Sequence, residues 1–574
     1  MTVLQLRGYR REHRARCLGA GRLHCGQWSG GQSDQCDGLE HGRETRVNEV
    51  HPGVTTSGEE IRTTLADGTP LRDRFDYRVP MGRPGDPAEV AAVVAFLASS
   101  GASCVNGAHF TVDGGMNASY GQTNLSACNC DASNPHQQVI PRARLGAGRN
   151  EGKVVVFKLD VPDRMVRGDV DEGYGAVADA FRENFAARNE IGAACAVYRG
   201  GRKVVDLWGG YRDGRNRVPW RAETIVPVFS TSKGVAAVAL AVLHARGLLD
   251  HDERVAAYWP EFAAAGKGEV TVHQMLAHQA GLAVIDQPLG LGDLTGSRTL
   301  ATALAEQRPA WEPGTRHGYH GQSLGWYESE LISRIDPGER RIGRFFADEV
   351  ATPLGLDFHF GLPQDTERDR VARIHGFRSW EMLLHLGAMP ASFVRAYANP
   401  RSLTARAFGN PRVLSTVENF NRPDVQAAEI PAANGVGQVR SIAKLYGEVA
   451  TGGAALGLTD ATMDALRVAA PPPTNGLFDE VLRVETRFSL GYVKPFPAFR
   501  FGSESDRAFG TMGLGGSFAF GDPDTGTGFA YAMNRTGFRL WDDPREVALR
   551  EALFARVLGE RPQRPDPASG RSGL

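Results

Sequence analysis

No stretch of this 574-residue chain approaches the ~20 consecutive apolar residues that a membrane-spanning helix needs. The longest apolar run, Val235 to Leu243, is cut off by His244 and Arg246. Excess charge is missing too. Lys and Arg number 65 against 66 Asp and Glu, a formal net charge of -1, so nothing in the total points to nucleic acid or a membrane as partner. Cysteine is scarce and unevenly spread. Of the 7, Cys17, Cys25, Cys36, Cys104, Cys128 and Cys130 come early and Cys195 stands alone after them, which excludes a disulfide framework. The close pair Cys128 and Cys130 has no second Cys/His pair to complete a metal site, so no metal is expected. Met1 to Cys17 carries charges with no apolar stretch of signal-peptide length, and the expected location is cytoplasmic. What remains is an ordinary composition, 42% hydrophobic and 23% charged, on a chain too long for a single core.

The chain divides into two unlike pieces. Residues 1–45, rich in Arg, Gly, Cys and His, show neither helical nor strand periodicity and are expected to be irregular and disordered. From Arg46 the text changes. Asp86 and Pro87 supply an N-cap and a first-turn proline to a helix through Val90, Val94 and Leu97. Gly107 to Val112 then reads as a short strand ending at Asp113-Gly114-Gly115. "RVNEVHPGVTTS" with "GRPGDPAEVAAVVAFLASSGASCVNGAHFTVDGGMNASYG" resembles the C-terminal part of a short-chain dehydrogenase/reductase, which implies a partial α/β, Rossmann-like segment over 46–120.

That family's chemistry resides in parts this chain does not carry. No glycine-rich strand–helix turn precedes the segment to cradle a pyrophosphate. No tyrosine stands four residues before a lysine ahead of "RVNEVHPG". A nicotinamide-dependent oxidoreductase is therefore the weaker reading. The segment is expected to be a truncated or out-of-frame remnant that binds no cofactor. Residues 121–158 read as a polar linker.

The second piece runs over 159–560, with 561–574 as a disordered tail. Val177, Phe181 and Phe185 recur every four residues, an amphipathic helix. Gly200-Gly201 joins two apolar strands, and "GDPDTG" joins another pair near the end. A closing helix starts at Asp543-Pro544, with Val547, Phe554 and Leu558 on one face. This order predicts an α+β fold: an antiparallel sheet flanked by helices, with a mostly helical middle.

The chemistry starts at "VPVFSTSKGVAAVALAVLHARGLL". Three-residue spacing puts Ser230 and Lys233 on one helical face, close enough to exchange a proton. A helix N-terminus offers backbone N–H groups to an oxyanion, and burial in an apolar helix start lowers a lysine pKa until the neutral amine is a usable base. "WEPGTRHGYHGQSLGW" follows, delivering Tyr319 from a loop into a helix, and "FGTMGLGGSFAF" begins a late strand. With "TVHQMLAHQAGL", "PLGLDFHFGLP" and "AANGVGQVRSIAKLYGEVATGG" between them, these phrases resemble the β-lactamase-related and penicillin-binding-protein-like serine hydrolases, in particular the esterase branch like class C β-lactamases.

The resemblance implies roles. Ser230 is the nucleophile and Lys233 its base, while Tyr319 relays protons and activates the deacylating water. The strand triplet of such enzymes falls on Thr511-Met512-Gly513, and the N–H of Leu514 joins that of Ser230 as the oxyanion hole. His320 and Gly321 follow Tyr319 where β-lactamases have Asn, and Thr511 brings no cation for a substrate carboxylate. Both departures favour a small neutral ester as the partner molecule, with no cofactor. A weak β-lactamase or peptidase, and a non-catalytic penicillin-binding protein, are the alternatives. Gly321-Gln322-Ser323-Leu324-Gly325 matches the nucleophile elbow of α/β-hydrolases, but a polar turn and not an apolar strand precedes it. His278, His317 and His320 lack metal-ligand spacing with acidic partners and are expected to be structural or to line the cleft.

Overall fold

The computed structural model describes residues 2–6, 46–52, 86–98, 109–113, 161–294, 298–376 and 388–561. The chain forms two compact units, Met1–Glu151 and Gly152–Leu574.

The first unit holds a three-stranded parallel sheet. Strand β1 (Thr2–Leu6) pairs with β2 (Arg46–Pro52), and β2 with β3 (His109–Val112). Helix α1 (Pro87–Ala98) connects β2 to β3, the crossover that a parallel pair requires. Val50 and Leu97 are fully buried against each other, with Val90, Val94, Phe110 and Val112 around them. The helix and strand expected at 87–113 are present. The irregular reading of 1–45 is corrected at Thr2–Leu6, a five-residue run too short for periodicity to distinguish strand from loop. The other residues of that segment, and the linker expected at 121–158, lie outside the described residues.

The second unit is built on an antiparallel sheet. Its strands are β4 (Arg167–Val170), β5 (Gly192–Arg199), β6 (Arg202–Asp213), β7 (Phe509–Met512), β8 (Phe518–Asp522) and β9 (Thr527–Met533). Their spatial order is β7-β8-β9-β5-β6-β4, and Val218–Pro219 adds a short pair to β6. The first and last parts of this unit thus meet at β5–β9, where Cys195 faces Tyr531 in register. Both expected hairpins are present, Gly200-Gly201 turning at positive φ as only glycine does without strain.

Alternation along β5 sorts the two faces. Ala193, Cys195 and Val197 pack with Val177, Phe181 and Phe185 of helix α2 (Gly175–Ala187) and with Leu549 and Phe554 near the C-terminus. Ala194 and Ala196 turn to the other face, where helix α5 (Val439–Ala450) lies. Small residues there let helix and sheet close up: a Cβ on Gly528 would fall 2.1 Å from Gly447 N. Between β6 and α5 in the chain comes a helical region, with α3 (Ser232–Ala245) and α4 (Ser323–Ile335) packed side by side. Every residue of α3 from Ser232 to Leu243 is buried, so this helix has no polar face to mark its boundaries.

The closing helix α6 (Pro544–Glu551) is capped by Asp543 and runs into a π turn at Ala552–Val557. That widened turn shifts the register. Leu549, Leu553 and Phe554 form the buried face, and Val547 and Leu558 are only half-buried. Beside them Arg545 is buried, meeting Asp543 at 2.8 Å and Glu190 at 3.2 Å and donating to Gly515 O at 2.9 Å. Glu190 also accepts from Tyr531 Oη. Arg545→Ala would strand two buried carboxylates, an expected loss of about 3–5 kcal/mol readable by denaturant unfolding. Arg561, expected to begin a disordered tail, is tied to Phe501 O and Ser503 O at 3.0 and 2.8 Å.

Candidate functional site

The site is assembled where the start of α3 meets β7 and the loop before α4. Phe229–Thr231 forms a single 3₁₀ turn ahead of α3. Phe229 holds φ at +50°, a left-handed conformation that bulky residues avoid, and its ring packs edge-on against Phe420 at 5.0 Å. Ser232 Oγ donates to Phe229 O at 2.5 Å and accepts from Gly435 N at 2.9 Å, which clamps the turn from behind. Ser230 is left half-exposed at its apex while Phe229 and Thr231 are buried.

Lys233 is buried at the first turn of α3. Its Nζ lies 3.1 Å from Ser230 Oγ, 2.6 Å from Gly321 O and 2.9 Å from Ala432 O. Burial pulls its pKa down to about 7, against a smaller opposing pull from Glu328. The geometry suits the neutral form. A neutral amine has two N–H bonds, which the two carbonyls accept, and the remaining lone pair then points at Ser230. No such carbonyl has a sequence signature. The spacing of the Gly321-to-Gly325 motif is nonetheless explained by this arrangement: a Cβ on Gly325 would meet Ala432 N at 2.4 Å, so glycine there lets the Ala432 carbonyl approach.

Tyr319 is buried with its hydroxyl beside Ser230, and its ring centroid lies 4.7 Å from Lys233 Nζ. Burial holds its phenol well above the ordinary value, so the hydroxyl is protonated at neutral pH. Asp479, which sequence reasoning missed, fixes this loop. Its two carboxylate oxygens accept from Tyr319 N at 3.1 and 3.0 Å, and Oδ1 also accepts from Val481 N and Leu482 N at 2.8 and 2.7 Å. Asp479 lies 160 positions after Tyr319 in a turn-rich stretch, and nothing local to it announces the contact.

The nearby histidines hold the frame. His320 Nδ1 donates to Gly318 O at 2.7 Å and Nε2 accepts from Leu282 N at 2.9 Å, so both ring nitrogens are engaged in one neutral tautomer. Burial pushes its pKa down to about 4. His278 Nδ1 accepts from His320 N at 3.0 Å, and His317 Nε2 lies 2.8 Å from Leu477 O. The described residues contain no group of His, Cys, Asp or Glu able to hold a metal.

Strand β7 brings its three expected residues to the site in different ways. Thr511 is buried and faces the helix start, donating to Thr231 O at 3.0 Å, accepting from Gly234 N at 3.3 Å and pairing with Tyr446 Oη at 3.0 Å. It supports the nucleophile turn from behind. Gly513 must be small, because a Cβ there would meet Val228 O at 2.4 Å and Thr231 Oγ1 at 2.9 Å, on either side of Ser230. Leu514 is exposed at the tip of the following turn, whose Gly515 carbonyl is held by Arg545. Neither Ser230 N nor Leu514 N donates to an acceptor among the described residues. Ser323, at the elbow-like motif, is buried with Oγ donating to Leu282 O at 2.7 Å, away from this group.

A serine hydrolase is what this fold and its relatives define. The beta-lactamase family model matches residues 177–552, and the chain belongs to that family. Its sequence is 35% identical over 387 residues to the esterase/beta-lactamase LipL of Mycobacterium tuberculosis, covering 66% of this chain and 86% of that protein. The crystal structure of a family VIII carboxylesterase is similar at 34% identity with a TM-score of 0.60, covering 68% of this chain and all of that one. Residues 38–117 separately match the enoyl-(acyl carrier protein) reductase family model. That region is 44% identical over 90 residues to meso-2,3-butanediol dehydrogenase of Serratia marcescens, of which it spans 34%. Among the described residues no helix is long and apolar enough to cross a membrane.

Proposed function

We propose that the second unit hydrolyses small carboxylic esters through an acyl intermediate on Ser230. Ser230 Oγ bonds to the acyl carbon as its proton passes to Lys233 Nζ. The oxyanion rests on the N–H groups of Ser230 and Leu514. The alkoxide leaves with the proton returned through Lys233 and Tyr319; water then attacks the acyl-serine, its proton taken by the same pair and passed to Ser230 Oγ as the acyl–oxygen bond breaks and the acid leaves. The observation that carries this reading is the lysine whose two amine hydrogens have carbonyl acceptors and whose third direction is Ser230 Oγ. The names of the relatives, an esterase/beta-lactamase and a carboxylesterase, agree with the choice of ester.

A β-lactam carries a carboxylate that needs a cation beside the strand. The residue at that strand position is Thr511, whose hydroxyl is already bonded to Thr231, Gly234 and Tyr446. Ester cleavage without efficient β-lactam turnover is the consequence. A series of p-nitrophenyl esters of rising acyl length, run beside nitrocefin, tests it. Short acyl chains are expected to be cleaved in a reaction blocked by a fluorophosphonate, with nitrocefin turned over slowly or merely acylating the enzyme. Rapid nitrocefin turnover beside inert esters would reverse the assignment.

A further inference from the structure

Helix α4 carries a buried carboxylic acid that the reaction above leaves unused. Glu328 is fully buried, and neither of its carboxylate oxygens has a hydrogen-bond partner among the described residues. A buried carboxylate with no donor costs several kcal/mol of lost hydration, so the neighbourhood should supply a reason for it. Its place against α3 supplies one. A Cβ built on Gly491 would lie 3.5 Å from Glu328 Oε1 and 2.7 Å from the Cβ of Ala237. Ala237 is four residues after Lys233, on the same face of α3, and Lys233 and Glu328 act on each other through their charges.

We propose that Glu328 is a positioning residue for the base, supplying across the α3–α4 interface a negative charge that steadies the Lys233 ammonium formed when Ser230 gives up its proton. The other titratable groups around the two are neutral. On the Glu328 side stand the Tyr492 and Tyr446 hydroxyls, both held protonated by burial. On the Lys233 side stand Tyr319 and the rings of His278 and His320, which burial keeps uncharged. Lys233 is the cation that acts on Glu328, and Glu328 the anion that acts on Lys233. Burial raises the Glu328 carboxyl and lowers the Lys233 ammonium, and each group's charge favours the ionised form of the other. In acylation the proton lost by Ser230 Oγ goes to Lys233 Nζ, and wherever Glu328 is ionised its carboxylate offsets the new positive charge through space.

The inference rests on Ser230 and Lys233 being the nucleophile and base, and its test is separable from theirs. The pH dependence of kcat/KM for p-nitrophenyl acetate is measured on the full chain, on Glu328→Gln and on Glu328→Met. Gln keeps the shape; Met keeps the length, removes every polar atom and folds without an unpartnered amide. Removing a negative charge disfavours the ammonium, so the acidic limb should move down by about one pH unit in both variants. The plateau kcat should fall with KM little changed, and Glu328→Asp should bring the limb partly back. A limb that stays in place, or moves up, in the folded variants overturns the role of Glu328. Ester cleavage that survives Ser230→Ala would instead overturn the reading on which it rests.

Discussion

Ser230→Ala should remove nearly all ester hydrolysis, a loss on the order of 10³-fold or more, because a covalent mechanism has no substitute for its nucleophile. The fold should survive. Ser230 Oγ lies 3.1 Å from Lys233 Nζ and beside Tyr319, whereas the clamps on the turn come from Ser232 and Thr231. The variant should therefore melt close to the parent and take up no fluorophosphonate. Ser323→Ala is the matched control. It removes one buried hydrogen bond to Leu282 O, worth about 1 kcal/mol, and should leave turnover within a few-fold of the parent. An inactive Ser323→Ala beside an active Ser230→Ala would put the nucleophile at the elbow-like motif and end the present assignment.

The parts of the site that could be read from the sequence are those where one side chain carries the chemistry at short spacing. Ser230 and Lys233 are three apart, and any helix brings them together. Tyr319 was accessible through the wording around it. The groups that tune them were not. Gly321 and Ala432 act through backbone carbonyls, which every residue possesses, so composition marks neither. Asp479 reaches Tyr319 across 160 positions, and Glu328 lies on α4 among residues that a periodicity argument reads only as helix. Thr511 shows the limit of analogy. Its position on the expected substrate strand says nothing of its partners, which the pleat of β7 makes Thr231 and Tyr446. In the sheet, the Gly200-Gly201 hairpin and the α2 stripe followed from local pattern. The meeting of β5 with β9 did not, because it joins strands more than 300 residues apart, and no local pattern encodes a pairing at that separation.

Lys233 and Tyr319 should behave as one unit when removed together. Lys233→Ala takes away the group that accepts the Ser230 proton, and Tyr319→Phe the hydroxyl that links it to the leaving group and to water. Each alone should depress kcat/KM by roughly 10²-fold or more, the usual scale for general acid–base catalysis. Once either is gone the proton has no complete route, so the double variant should be little worse than the poorer single. The pH profile adds an independent check. With the Lys233 ammonium near 7, kcat/KM of the parent should fall below about pH 7 as the amine becomes protonated. Tyr319→Phe should keep that limb, because its base is intact, while Lys233→Ala should lose it along with most of the rate. Fully multiplicative losses in the cycle would mean that the two side chains serve separate steps. The 4.7 Å between Lys233 Nζ and the Tyr319 ring, and the hydroxyl beside Ser230, argue that they serve the same one.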